Sequence, residues 1–223
     1  MNQLNLSAQP LVLAQILCNH LVVQENGSPL KLKKIVTGIA HIRFDGLTGD
    51  DGDQEHYKDS DKALLHYAFD HYQAWLAQLP GCTALLQHPG AFSENFSTSG
   101  ITENNICIGD IFRVGSATIQ VTEGREACNT MNQRFNDPLM NQKMHVQART
   151  GWFYRVLDEG QAKAGDVMVL QERLHPEWTV ARVLQCIYGA ELNPQILEPL
   201  SKLPSLAKDW KTLILKRLET GKT

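Results

Sequence analysis

The sequence predicts a mainly β protein, an antiparallel β-barrel with one helix on its outside and a small α-helical bundle at its C-terminus. Two observations carry this prediction. Over residues 12–170, short β-type runs alternate with Gly, Asp and Asn, without long helices between them. After Glu172 the apolar residues instead recur at helical spacing. We therefore expect a barrel domain over residues 1–172 and a three-helix extension over residues 173–223.

The strand predictions rest on alternation and on turn residues. Residues 117–122 form the clearest run, because every second side chain is apolar, as a half-buried strand requires. Residues 11–17 and 152–157 are further predicted strands. Residues 109–112 and 165–168 each begin with Gly-Asp, and both residue types accept the backbone angles of a tight turn before a strand.

One helix is predicted inside the barrel region, over residues 64–76. It follows Ser60 and Asp61, which can cap a helix start, and it should pack on the outside of the barrel. Its two histidines, His66 and His71, do not share a helical face. We expect them to be partly exposed or at the edge of the core rather than metal ligands.

Three short helices are predicted after Glu172. Thr179, the pair Asn193-Pro194, and Ser205 each stand directly before a run of apolar residues at helical spacing. A bundle of this size buries too little surface to be stable alone. We expect it to dock on the barrel or on a second subunit, the latter giving a homodimer.

Composition narrows the class of protein. The hydrophobic share of 43% and charged share of 20% are those of a globular protein. A net charge of −3 gives no basic surface for nucleic acid. No run of 18 apolar residues is present, and the N-terminus lacks the pattern of a secretion signal. We expect a cytoplasmic protein that binds neither nucleic acid nor membrane.

The cysteines argue against a disulfide framework and against a structural zinc site. They are odd in number, far apart and without a CxxC pair. Four of them lie among apolar neighbours, where a thiol behaves as a small inert hydrophobe. These four are Cys18, Cys82, Cys107 and Cys186.

Cys128 differs from the other cysteines. It follows the clearest predicted strand, so we expect it on a loop at a rim of the barrel. Arg125, Asn129 and Asn132 are close in sequence, and a thiol in such surroundings can be partly exposed and held as a thiolate by the guanidinium. The residues alone leave both a functional and a structural role open for Cys128.

Six segments together carry a family resemblance. In chain order they are Phe92-Ser93-Glu94-Asn95-Phe96-Ser97, Gly100-Ile101-Thr102-Glu103, Gly109-Asp110-Ile111-Phe112-Arg113-Val114-Gly115, Ile119-Gln120-Val121-Thr122, Arg125-x-x-Cys128 and Thr150-Gly151-Trp152. In this order they resemble the MOSC domain, and most closely its bacterial branch that protects against N-hydroxylated base analogues such as 6-hydroxylaminopurine. The three-helix tail is similar to the C-terminal extension of that branch. The resemblance implies a MOSC-type barrel, similar to the barrel domain of pyruvate kinase.

The resemblance also implies a site. Cys128 would ligate the molybdenum of a molybdopterin-type cofactor in an enzyme that reduces N-hydroxylated substrates with electrons from a separate donor reductase. A soft thiolate suits molybdenum, and basic groups can hold a pterin phosphate. Candidate contacts to the phosphate or pterin are Arg125, Arg149 and Lys62, and Asn95 with Glu94 would shape the pocket. Each of these five could instead be an ordinary structural or solvated side chain.

The chain departs from the family pattern in several places. The usual His-Gly-Gly-Pro-Asp stretch corresponds to residues 56–63 here, without its glycines and proline. Since Gly lets backbone approach a ligand closely, the change at Lys58 and Asp59 argues against cofactor contact there. Gly124 and Ala127 replace prolines, Ser93 replaces a glycine, and no basic residue follows the cysteine. These departures leave open that the protein acts on a different substrate or binds no cofactor.

Three hypotheses follow. The first is molybdenum-dependent reduction of N-hydroxylated purines or related compounds through Cys128. The second is a non-catalytic protein that binds or carries a pterin or another small molecule in the same barrel. The third is a thiol redox protein, for which Cys82 or Cys107 would have to approach Cys128 in space.

Overall fold

The structure is a computed structural model that describes residues 10–23, 29–50, 60–189 and 193–220. Its strands and helices are numbered in chain order. The strands are β1 (Leu11–Val23), β2 (Pro29–Ile35), β3 (Ile39–Arg43), β4 (Gly46–Leu47), β5 (Leu64–Ala68), β6 (Phe96–Thr98), β7 (Ile111–Val114), β8 (Ala117–Gly124), β9 (Trp152–Asp158), β10 (Gly160–Lys163) and β11 (Val167–Glu172). The α-helices are α1 (Asp70–Gln78), α2 (Asn129–Phe135), α3 (Met140–Val146), α4 (Val180–Tyr188), α5 (Pro194–Ser201) and α6 (Lys208–Thr220).

A closed barrel is built from seven of the described strands. They pair in the order β11-β7-β8-β9-β5-β6-β1, and pairing of β1 with β11 closes the ring. The pairing of β5 with β6 is parallel, and every other barrel pairing is antiparallel. Strand β2 extends β1 outward, and β10, β3 and β4 form a separate small sheet. The predicted mainly β barrel is confirmed, with one parallel pair that the sequence did not indicate.

The strand predictions are confirmed. The runs 11–17, 117–122 and 152–157 lie within β1, β8 and β9. Gly109 and Gly165, which begin the two turns, have φ angles of 85° and 93°, the left-handed region that glycine adopts without strain. Strands β7 and β11 start two residues after them.

The helix predicted over residues 64–76 is partly wrong. Its first half is strand β5, which pairs with β6 and β9, and the helix begins only at Asp70. All five β5 side chains are buried, because one face meets the barrel core and the other meets α1. A strand buried on both faces shows no alternation of polar and apolar residues. In the sequence, the apolar residues of β5 therefore looked like the start of the helix that follows it.

The histidine prediction is also corrected. His66 is fully buried and lies in β5, and His71 is buried at the start of α1. Ser60 and Asp61 belong to a short 3-10 turn before β5 and cap no helix there. Instead, an Asp61 carboxylate oxygen accepts a hydrogen bond from the Lys208 backbone amide at 3.0 Å, at the start of α6.

Two apolar clusters form the core. The larger one fills the barrel and continues without interruption into α4, α5 and α6. The second packs α1, α2 and α3 against the outside of the barrel at Tyr67, which confirms that α1 is an outer helix. The three C-terminal helices were predicted correctly, except that the third begins at Lys208 rather than directly after Ser205. No helix among the described residues is long and apolar enough to cross a membrane.

Candidate functional site around Cys128

Cys128 lies at the edge of the barrel, between the end of strand β8 and the start of helix α2. Strand β8 ends at Gly124, and Cys128 is the residue that precedes the first turn of α2. Its extended backbone, with φ −106° and ψ 178°, is that of an N-cap position. Its side chain is exposed, as predicted. The short helices α2 and α3 that follow it were missed in the sequence.

The surroundings of Cys128 favour the thiolate. Partial burial opposes ionisation, but hydrogen bonds from the Thr130 hydroxyl and backbone amide and the charge of Arg125 outweigh it, so the pKa of the Cys128 thiol is lowered. Asn129 and Asn132 contribute in another way. The Asn132 side-chain amide donates to the Asn129 side chain and to the Pro138 carbonyl, both at 2.9 Å, and so braces α2.

Arg125, three residues before Cys128 in the sequence, is buried. One guanidinium nitrogen donates to the Phe92 carbonyl at 2.5 Å, and the Arg125 backbone amide donates to the Gly151 carbonyl at 2.9 Å. Arg125 thereby connects the cysteine segment to the loop before β6. Its positive charge is fixed beside the thiol and beside the second apolar cluster.

Glu94 shapes the loop opposite Arg125. Its buried carboxylate accepts hydrogen bonds from the Tyr72 hydroxyl at 2.5 Å and from the backbone amides of Gly90 and Phe92 at 2.7 and 3.1 Å. The residue before it, Ser93, has a φ of 64°, in the left-handed region that glycine adopts without strain. Glu94 therefore holds the loop that carries the Phe92 carbonyl toward Arg125.

Asn95 ties two barrel strands together. Its side-chain oxygen accepts from the Leu65 amide at 3.0 Å, and its side-chain nitrogen donates to the Leu17 carbonyl at 3.2 Å and to Asp50 at 2.6 Å. The side chain is completely buried. Asn95 thus bridges β1 and β5, a structural connection some distance along the chain from the thiol.

Lys62 and Arg149 lie apart from one another. The Lys62 ammonium contacts Asp209 of α6 at 2.5 Å and Glu123 of β8 at 3.4 Å. The Arg149 guanidinium lies over the ring of Trp75, 5.6 Å from its centroid, and donates to Gln147 at 2.8 Å. The family stretch corresponding to residues 56–59 lies outside the described residues.

His145 is a residue that sequence reasoning missed. Its Nε2 accepts a hydrogen bond from the backbone amide of Ala127, directly before the cysteine, at 2.9 Å. Its ring is stacked on the ring of Tyr188 in α4, with centroids 4.5 Å apart and planes 9° apart. Burial lowers the pKa of His145, and Arg125 lowers it further, while Glu126 raises it. No sequence spacing links residues 127, 145 and 188, so only the fold reveals the contact.

The remaining cysteines have different surroundings. Cys107 is buried, and burial, with Asp110 nearby, raises the pKa of its thiol to about 11 despite Arg173. Cys82 and Cys107 are the two candidate redox partners of Cys128. Each thiol donates a hydrogen bond to a backbone carbonyl, Cys82 to that of Phe135 and Cys107 to that of Pro176. Cys18, Cys82 and Cys186 are half-buried rather than fully buried. Cys128 is thus the exposed thiol of the five.

Comparison with known proteins defines the class. Residues 52–169 match the MOSC domain, and residues 178–221 match the YiiM-like, 3-alpha helix domain. The first match covers more than half of the chain, so the chain belongs to the MOSC domain family, with a YiiM-like three-helix domain at its C-terminus.

Individual relatives make the comparison more specific. The chain is 33% identical to Protein YiiM of Escherichia coli strain K12 over 198 residues, which are 88% of each chain. It is 32% identical to a protein of Gibberella moniliformis named "Reductase", over 71% of this chain but 28% of that longer protein. The crystal structure of YiiM from Escherichia coli superimposes with a TM-score of 0.77 at 32% identity, covering 85% of this chain and 89% of that one. A crystal structure described as a hypothetical protein gives a TM-score of 0.83 at 29% identity, covering 96% of this chain and 92% of that one.

Proposed function

We propose that this protein binds a molybdenum cofactor of the molybdopterin type, with Cys128 as a ligand of the metal, and reduces N-hydroxylated purines or related N-hydroxylated compounds. The observation that carries the proposal is the exposed Cys128 thiol, whose pKa is lowered while the pKa values of Cys107 and Cys186 are raised by burial. A thiolate, not a thiol, is the form that binds a metal. Membership of the MOSC family and the relative named "Reductase" support it.

The residues present fit such a group. The described residues contain no cluster of three or more His, Cys, Asp or Glu side chains that could hold a metal ion. A site made of three or more such side chains is therefore not available among the described residues, and a metal held by Cys128 would have to bring most of its ligands with it. A pterin cofactor does this through its own sulfur atoms, and a soft thiolate matches molybdenum.

The other candidate residues take different parts in the proposal. Arg125 and Arg149 are the cations we assign to the phosphate or pterin, Arg125 because its charge is held beside the thiol. Glu94 and Asn95 keep the walls of the pocket in place through buried hydrogen bonds. Lys62 is engaged with Asp209 and Glu123, so a contact to the cofactor would require it to leave both.

The reaction would be the reductive cleavage of an N–O bond. An N-hydroxylated amine takes up two electrons and two protons and yields the amine and water. The bound cofactor would supply the two-electron transfer. Cys128 would hold the metal, and the Arg125 charge would stabilise the thiolate form of that ligand. The loop fixed by Glu94 carries the Phe92 carbonyl that orients Arg125. The electrons come from a separate donor reductase, which is part of the proposal.

The proposed setting is the cytoplasm. An exposed cysteine with a lowered pKa oxidises readily, and reducing conditions keep such a thiol free. The thiols of Cys82, Cys107, Cys128 and Cys186 are free in the structure.

Three proteins purified from a host that makes molybdopterin test the proposal: the wild type, Cys128→Ser and Cys107→Ser. Serine is hardly ionised at neutral pH and is a poor ligand for molybdenum. We expect Cys128→Ser to unfold at the wild-type temperature but to lose bound molybdenum and the reduction of 6-hydroxylaminopurine, measured with reduced methyl viologen as donor. Cys107→Ser should keep both.

The outcomes separate the hypotheses. Equal molybdenum and equal activity in the wild type and Cys128→Ser would refute the ligand assignment. Molybdenum bound through Cys128 without any reduction would favour the non-catalytic carrier instead. Loss of molybdenum and activity in Cys107→Ser alone would show that Cys107, not Cys128, is the ligand.

A further inference from the structure

The short segment over residues 124–128 joins β8 to the thiol, and two contacts from the rest of the protein fix its ends. One contact is at Gly124, the last residue of β8. The other is at Ala127, the residue directly before Cys128. Both lead to the C-terminal helices, which belong to a different part of the chain.

The contact at Gly124 is one of close packing. A Cβ atom on Gly124 would lie 2.9 Å from the Trp210 ring, 3.0 Å from Val180 and 3.3 Å from Leu184. Val180 and Leu184 are in α4, and Trp210 is in α6. The backbone of the cysteine segment therefore lies directly against two helices of the extension.

The contact at Ala127 is one of hydrogen bonding and stacking. The Ala127 amide donates to His145 Nε2 at 2.9 Å, and the His145 ring is stacked at 4.5 Å on Tyr188, the last residue of α4. Ala127 is buried, so this amide would lose much without a partner. The stack holds the imidazole in the plane that lets Nε2 accept.

We propose that helices α4 and α6 of the C-terminal extension position Cys128, with Tyr188 and His145 as positioning residues that act through the backbone amide of Ala127. The proposal rests on the proposed function in taking Cys128 as the reactive thiol. Its test needs neither molybdenum nor substrate.

The backbone of this segment fixes where the thiol lies. Cys128 is the N-cap of α2 and follows Ala127 directly, so its side chain projects from a backbone that is held at Gly124 and at Ala127. Ala127 fixes the residue before the thiol, so loss of its hydrogen bond lets the N-cap of α2 move. His145 stays neutral and able to accept near pH 7, since burial lowers its pKa. Tyr188 contributes its ring face, because the stack does not use its hydroxyl.

The experiment measures the rate of alkylation of Cys128 by iodoacetamide at one fixed pH, with the modified peptide quantified by mass spectrometry. Five variants are compared with the wild type. His145→Gln keeps an acceptor at the position of Nε2, whereas His145→Leu removes it. Tyr188→Phe keeps the stacked ring, whereas Tyr188→Ala removes it. Cys128→Ser identifies the signal of this one thiol among five.

We expect the rate of alkylation of Cys128 to change about threefold or more in His145→Leu and Tyr188→Ala, because the thiol leaves its wild-type position. His145→Gln and Tyr188→Phe should react at the wild-type rate. A wild-type rate in folded His145→Leu and Tyr188→Ala would overturn the proposal. So would equal changes of rate in His145→Gln and His145→Leu, because they would assign the effect to packing alone.

A second measurement covers failure of a variant to fold. Hydrogen exchange of the Ala127 amide, followed by NMR in the wild-type protein, should show strong protection for a residue outside regular structure. Rapid exchange there would overturn the proposal without any substitution. The proposed function is tested separately. Cys128→Ser could lose molybdenum even if substitution of His145 leaves the alkylation of Cys128 unchanged. Equally, substitution of His145 could change alkylation in a protein that binds no molybdenum.

Discussion

At the residue scale, two thiols in one chain show how the fold decides reactivity. Cys107 is buried, and burial, with Asp110 adding negative charge, raises its pKa to about 11. Cys128 is partly buried too, but Thr130 and Arg125 reverse the sign of the shift. Identical side chains are therefore separated by the donors and charges around them rather than by burial alone.

Ser93 carries a residue-scale prediction. Its φ of 64° is in the left-handed region, which costs a residue with a Cβ about 1 kcal/mol. Glycine has no such cost but loses more entropy on folding, so Ser93→Gly should raise the free energy of unfolding by up to about 1 kcal/mol. Urea unfolding measures this. Ser93→Ala keeps the Cβ and serves as the control; equal stability of the Gly and Ala variants would show that the backbone at residue 93 is unstrained.

Part of the site was predictable at this scale. Cys128 stands among polar residues and Arg125 is three positions away, so exposure and a charged neighbour could be inferred from the sequence. His145 could not, because its partner is a backbone amide and a backbone amide leaves no signature in sequence. Lys62 looked like a ligand contact, but its partner Asp209 is 147 residues away and could not be paired with it in advance.

At the scale of elements, the strands whose polar and apolar residues alternate were predicted well, and the strand with apolar contacts on both faces was not. Strand β8 was recognised by alternation over residues 117–122. Strand β5 has apolar partners on both faces, so it was read as the first half of a helix. The helices α2 and α3 are seven residues each, too short for a helical period to stand out.

His66 in β5 gives a prediction about pH. It is fully buried, with ring nitrogens 3.0 Å from the Tyr154 hydroxyl and 2.8 Å from the Thr98 hydroxyl, and burial lowers its pKa to about 3. Between pH 6.5 and 3 the unfolded chain binds a proton that the folded chain does not, so stability falls as pH falls through this window. The slope from one such group is at most about 1.4 kcal/mol per pH unit.

Urea unfolding at pH 7, 6 and 5 checks this, with His66→Phe as the variant that cannot titrate. His66→Phe loses two hydrogen bonds, so it should be less stable at pH 7, but its stability should depend less on pH than that of the wild type. Parallel pH dependence in the two proteins would contradict a neutral buried His66. His41→Phe, which changes an exposed histidine, is the matched control.

At the scale of the whole molecule, barrel and extension share one core. The cluster that fills the barrel includes Val183, Leu184 and Ile214 of the C-terminal helices. Polar contacts reinforce the joint: Asp61 accepts from the Lys208 amide, and the Ala207 amide donates to the Thr122 carbonyl at 3.0 Å. Three helices could be predicted from their spacing, but the side of the barrel that receives them depends on Gly124 and its missing Cβ, which no periodicity indicates.

Removal of residues 173–223 tests whether the barrel is a separable domain. The cut takes away Trp210, Val180 and Leu184, which are all buried and cover the end of β8. It also removes Arg173, which holds the buried Asp110 with two hydrogen bonds of 2.9 and 2.6 Å, and so leaves a carboxylate without its cation.

We expect the truncated chain to aggregate or to change its oligomeric state, measured by size-exclusion chromatography with light scattering. Trp210→Ala is the graded control, which should lower the free energy of unfolding by about 3–5 kcal/mol without changing the oligomeric state. A monodisperse truncated chain that unfolds at the wild-type temperature would contradict the shared core and would leave the extension only a role in positioning Cys128.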